Sequence, residues 1–65
     1  MIKPQILLLN KDLSSRTMLK YIIETNHYKV FEAKEILSGI NTINTQMIHL
    51  TIIDADMVIE NPSII

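Results

Sequence analysis

Four consecutive aliphatic residues, Ile6-Leu7-Leu8-Leu9, stop abruptly at Asn10-Lys11-Asp12. A strand turns alternate side chains to opposite faces, so an unbroken apolar run needs cover on both sides and belongs in a layered α/β sheet. Residues 6–9 therefore read as a central first strand. Tyr28 to Ala33, YKVFEA, is rich in β-branched and aromatic residues and reads as a second strand. Residues 48–54, IHLTIID, form a third apolar run that ends at a carboxylate.

The segments between these runs carry helical spacing. Asp12 or Ser14 can cap a helix in which Met18, Leu19, Ile22 and Ile23 share a face, while Arg16, Lys20 and Glu24 turn toward solvent. That helix should end near Thr25-Asn26-His27, with Asn26 in the left-handed conformation. Ile36, Ile40, Ile43 and Met47, with Leu37 beside them, mark a second helix over residues 34–46. Gly39 costs this helix about 1 kcal/mol relative to Ala unless it permits close packing on the sheet. Asn61-Pro62 is a turn or helix-start signal. The order β-α-β-α-β predicts a parallel sheet with right-handed crossovers and functional groups at the carboxyl ends of the strands.

A chain of 65 residues holds one domain, whose core alone supplies roughly 3–5 kcal/mol. Apolar residues make up 48%, with one Gly and two Pro, which argues for a packed core and against disorder. No Cys is present, so disulfides and thiolate zinc sites are excluded, as expected of an intracellular chain. Six basic against seven acidic residues give a net charge of −1, which favours neither nucleic acid nor anionic membrane. The start MIKPQ has no signal-peptide apolar stretch, and no run approaches the roughly 20 residues that span a bilayer. A cytoplasmic location follows as the default.

Few residues suggest catalysis. A single Gly cannot build a glycine-rich phosphate cradle, so no nucleotide cofactor is expected. His27 and His49 have no second ligand at zinc spacing and read as surface or partly buried residues. Ser14 and Ser15 lack a nucleophile elbow and a nearby base, which leaves capping. Asp12, Asp54 and Asp56 could be imagined around a metal, but Asp12 is better placed as a helix cap. Met18 and Met47 fall on the apolar stripes and read as core.

With LLLNKDLSSR closing the first strand and TIIDADM closing the third, the chain resembles the N-terminal half of the receiver domain of two-component response regulators. Receivers read much like LLVDDDxxxR and LLLDxxMP at these places. The resemblance implies a three-stranded parallel sheet of order 2-1-3, a truncated flavodoxin-like fold. It puts Asp54 at the phosphoacceptor position, Met57 at the apolar position that follows, and Arg16 at a position often basic, although exposure alone would explain an Arg there.

The family's Mg²⁺-binding acidic pair is replaced here by Asn10 and Lys11. Mg²⁺ demands hard oxygen ligands, normally including carboxylates, so a neutral carbonyl and a competing ammonium predict no metal cofactor. Phosphoryl transfer relies on positioning and charge neutralisation, so Asp54 should lack its helper. Lys11 is expected either to place its ammonium near Asp54 in the metal's stead or simply to point to solvent.

These features together predict a non-enzymatic, atypical receiver-like interaction module of a phosphorelay system, with a protein partner. Two alternatives stand beside it: a working phosphoacceptor at Asp54 whose missing groups come from a partner chain, and a structural half-domain that only assembles. The third strand would form an exposed apolar edge, which predicts a homodimer through that edge or a chain that is part of a longer receiver.

Overall fold

The structure, a computed structural model, describes residues 3–60. Their elements run β1 (Gln5–Leu9), α1 (Leu13–Thr25), β2 (Lys29–Ala33), α2 (Ile36–Thr45), β3 (Leu50–Ile53) and α3 (Ala55–Glu60). The strands form a parallel sheet of order β2-β1-β3. This is an α/β, flavodoxin-like arrangement, and the unbroken run at 6–9 occupies its centre as the need for two-sided cover requires.

Register and pleat assign the layers. Leu7 and Leu9 lie beside Phe31 and Ala33 on β2 and Thr51 and Ile53 on β3. This face packs against α2 and α3, joining Leu7, Leu9, Ala33 and Met57 in the core with Ile36 and Ile48 at its margin. Ile6 and Leu8 turn to the opposite face, which α1 covers over β1 and β2. At Gly39 α2 lies close against the sheet: a Cβ built there would stand 3.3 Å from both terminal methyls of Leu9. The close packing that would offset its poor helix propensity is present.

Asp12 is the N-cap of α1, its carboxylate accepting from Ser15 N–H at 2.8 Å. The far end of α1 closes in a Schellman motif, with His27 N–H donating to Glu24 O at 3.0 Å and Tyr28 N–H to Ile23 O at 3.4 Å. The left-handed residue is His27, at φ 69°, and not Asn26, which has φ −94°. The reason is positional: this motif places the left-handed conformation one residue past the C-cap, and Asn26 is the C-cap itself. Asn26 instead donates through Nδ2 to Ile22 O at 2.8 Å.

Two other expectations are corrected. Met18 and Met47 are not core, being 59% and 71% exposed. Met18 belongs to the part of α1 turned away from the sheet, and Met47 falls past the end of α2. Arg16 does not turn to solvent: its side chain is 13% exposed and pairs with Glu32 on β2. The third helix, Ala55–Glu60, was not foreseen, and Asn61 and Pro62 lie outside the described residues.

Among the described residues no helix is long and apolar enough to cross a membrane.

Candidate functional site

In an open parallel sheet the carboxyl ends of the strands are where functional groups gather. Here that edge is built by two backbone hydrogen bonds. Asn10 N–H donates to Ala33 O at 3.0 Å and Asp54 N–H donates to Leu9 O at 3.0 Å, so Asn10 and Asp54 emerge from neighbouring strands. Asp54 then starts α3, its carbonyl accepting from Met57 N–H at 3.0 Å and Val58 N–H at 3.3 Å.

Asn10, Lys11 and Asp12 at the tip of β1 each make a side-chain hydrogen bond within the chain. Asn10 is buried, and its Oδ1 accepts from Asp12 N–H at 2.9 Å, a local turn that Asn side chains form readily. Its backbone carbonyl accepts from Arg16 Nη1 at 2.8 Å. Asp12 Oδ2 accepts the cap from Ser15 N–H, and hydrogen bonding from Ser15, its side chain first and its backbone N–H second, holds the Asp12 carboxyl below its ordinary value. Hydrogen bonding to the charged form is the cause, and the Arg16 charge adds a lesser pull in the same direction.

Lys11 reaches neither of its two expected destinations cleanly. Its ammonium lies 2.6 Å from Glu60 Oε1 at the end of α3, with the side chain still 53% exposed. The hydrogen bond and charge of Glu60 raise the Lys11 pKa, while Asp56 and then Asp54 contribute the weakest attractions. The direct Lys11–Asp54 contact is therefore corrected to a Lys11–Glu60 pair. Asp54 is committed by its backbone to both β1 and the start of α3, whereas Glu60 has a longer side chain that brings its carboxylate to the ammonium.

Among the described residues, no hydrogen bond or ion pair engages the Asp54 carboxylate. Asn10 Oδ1 and Asp12 Oδ2 each accept from a backbone N–H, and the Lys11 ammonium at the same strand tip pairs with Glu60. Among the described residues no three His, Cys, Asp or Glu side chains gather as they would around a metal.

Two participants escaped sequence reasoning. Glu60 is 49 residues from Lys11, and Arg16 on α1 meets Glu32 on β2, 16 residues away, so neither pairing has a local signal. Opposite charge is the sole hint, and it is shared by many other pairs. The histidines take structural places: His49 Nδ1 accepts from Gln5 N–H at 2.9 Å and His49 N–H donates to Gln5 O at 2.8 Å, joining β3 to β1 at their amino ends. Gln5 adds a side-chain donation to Met47 O.

A second feature lies on the α1 face of the sheet. An open groove of about 310 Å³ is lined by apolar side chains that include Ile6, Ile22, Tyr28, Leu50 and Ile52. Leu50 and Ile52 are 55% and 36% exposed, because α1 lies over β1 and β2 and leaves β3 uncovered. Compared with known protein families, curated proteins and solved structures, the chain gives no match.

Proposed function

We propose that this chain is a non-catalytic, receiver-like interaction module of the two-component signalling type, with Asp54 at a vestigial phosphoacceptor position. The observation that carries this reading is the occupancy of the tip of β1: Asn10 Oδ1, Lys11 Nζ and Asp12 Oδ2 all have partners inside the chain. Metal-assisted phosphoryl transfer needs carboxylate oxygens beside the acceptor, and the amide of Asn10 and the ammonium of Lys11 at the tip of β1 offer none, which supports this reading. The exposed apolar groove beside β3 supports an interaction role, since apolar surface left open beside a sheet edge invites a protein partner.

One observation favours a second reading. The Asp54 carboxylate has no hydrogen-bond or ion-pair partner among the described residues, which is the condition an acceptor would need if a partner chain supplied the other groups.

Titrating the protein with beryllofluoride and Mg²⁺ while following the amides around Asp54 by NMR separates the two. The first reading expects no saturable shifts at millimolar Mg²⁺. A saturable response that is lost in Asp54→Asn would replace it with the second.

A further inference from the structure

The two edges of the sheet are unlike. On β2, Lys29 is exposed with its ammonium 5.1 Å from the Phe31 ring centre, and Glu32 is held by Arg16 and Lys20 of α1. Charged side chains of this kind are a standard guard against edge-to-edge pairing. On β3 the sequence Leu50-Thr51-Ile52-Ile53 has no charge and no Pro, and the edge away from β1 has no partner strand among the described residues. The unguarded edge is also the one beside the exposed Leu50 and Ile52.

We infer that two copies of this chain pair β3 against β3, antiparallel, about a two-fold axis at Thr51, so that Leu50 of each copy packs on Ile52 of the other. Geometry restricts the choice to few registers. A two-fold axis relating antiparallel strands stands perpendicular to the sheet, and paired residues must point to the same face, so the axis passes through a residue rather than between two. Centring it on Ile52 would set the Asp54 carboxylate against Leu50 of the other copy, an uncompensated charge on an apolar contact. Centring it on Thr51 gathers the two exposed aliphatics of each copy into one cluster and opposes no like charges. A second copy is the occupant that this strand fits, because an uncharged strand meets itself with nothing to repel it, and the net charge of −1 per chain adds little.

The size of the contact sets its strength. A standard interface takes about 800 Å² per partner, which is about one sixth of the accessible surface of 4762 Å². A four-residue edge with two exposed side chains lies at the lower end of such areas, so the pairing is weak and depends on concentration. The inference goes beyond the proposed interaction role and does not depend on Asp54; a monomer would leave the arrangement around Asn10 untouched.

The absence of native Cys gives a direct test. In the inferred register the two Thr51 Cα atoms stand about 4.5–5.5 Å apart, inside the roughly 4.4–6.8 Å span of a disulfide. The two His49 Cα atoms are four residues out of register, on the order of 13 Å apart. Under mild oxidation Thr51→Cys is expected to form a covalent dimer and His49→Cys is not. Leu50→Lys placed in the Thr51→Cys background should lower the yield about tenfold or more, with circular dichroism confirming that it remains folded. Sedimentation of the native chain should show a monomer giving way to a dimer as concentration rises. A folded monomer throughout, an unfolded chain throughout, equal cross-linking at 51 and 49, or indifference to Leu50→Lys in the folded variant would each overturn the inference.

Discussion

Arg16 on α1 ties the helix to two strands at once: Nε lies 3.1 Å from Glu32 Oε1 on β2, and Nη1 lies 2.8 Å from the carbonyl of Asn10 at the tip of β1. A planar guanidinium is suited to this because its donors diverge at fixed angles, one toward a carboxylate and one toward a peptide oxygen. Lys20 adds a second, longer contact to Glu32 at 3.4 Å. Packing of α1, the β2 edge and the candidate site are thereby mechanically joined.

Replacing Arg16 by Ala should destabilise the fold by about 1–3 kcal/mol, because it strands a part-buried carbonyl at Asn10 as well as breaking the ion pair. Arg16→Lys should recover little of this, since an ammonium reaches one acceptor but does not span two. Urea unfolding of the three proteins checks both statements. Equal midpoints for Lys and Arg would show that charge alone matters.

Gly39 offers a test in which two effects oppose. Ala there gains about 1 kcal/mol of helix propensity, but its methyl meets both Leu9 methyls at 3.3 Å, which obliges Leu9 to give by a few tenths of an ångström. Gly39→Ala should therefore be close to neutral. Gly39→Val adds two methyls beyond the Cβ that already meets Leu9 and should cost about 1–3 kcal/mol through overpacking. Thermal melts of the pair measure the difference, which should be clearly larger than the Ala effect alone.

At the C-terminal end of α1, His27 holds φ 69° without the freedom of a glycine. A non-glycine residue in this conformation is disfavoured by about 1–2 kcal/mol, and part of that is returned on substitution by Gly, whose unfolded chain is more flexible. His27→Gly is expected to stabilise by up to about 1 kcal/mol, read as a higher urea midpoint with an unchanged slope.

These positions also show what was legible beforehand. The apolar runs at 6–9 and 48–54 and the helical spacing between them marked a parallel α/β sheet, because period and continuity are properties of the chain itself, whereas the strand order 2-1-3 was implied only by the resemblance to receiver domains. The cap at Asp12 was legible for the same reason, as it bonds a residue only three positions ahead. Met18 and Met47 were not, since periodicity tells which side of a helix is apolar and says nothing of how much surface faces it. The Lys11–Glu60 and Arg16–Glu32 pairs depend on where α3 and β2 come to lie, and charge sequence alone does not rank one such pairing above another.

The Lys11–Glu60 pair joins β1's tip to α3 but sits in solvent, with both side chains about half exposed. Exposed pairs contribute little, so Lys11→Met should leave the melting temperature nearly unchanged. The Lys11 pKa is raised in the folded chain. Any stability from it is therefore fully present below the ordinary lysine value and fades as pH rises through the raised one. Melts at neutral and strongly alkaline pH, compared between the native chain and Lys11→Met, should converge at the alkaline end.

Asp12 gives the opposite sign. Its carboxyl is held below the ordinary value by hydrogen bonding from Ser15, the side chain first and the backbone N–H second, so the folded state binds that proton less readily than the unfolded one. The contribution of the cap is fully present above the ordinary carboxyl value, 3.8, and is lost as pH falls through the depressed value in the folded chain. Asp12→Asn keeps an oxygen that can accept from Ser15 N–H but carries no titrating proton, whereas Asp12→Ala loses the cap at every pH. Below pH 3.8, the native chain should therefore fall toward the stability of Asp12→Ala while Asp12→Asn holds its lead. Urea midpoints measured across the acid range decide this: parallel curves for all three proteins would show that Ser15 N–H is satisfied by water in solution and that Asp12 caps nothing.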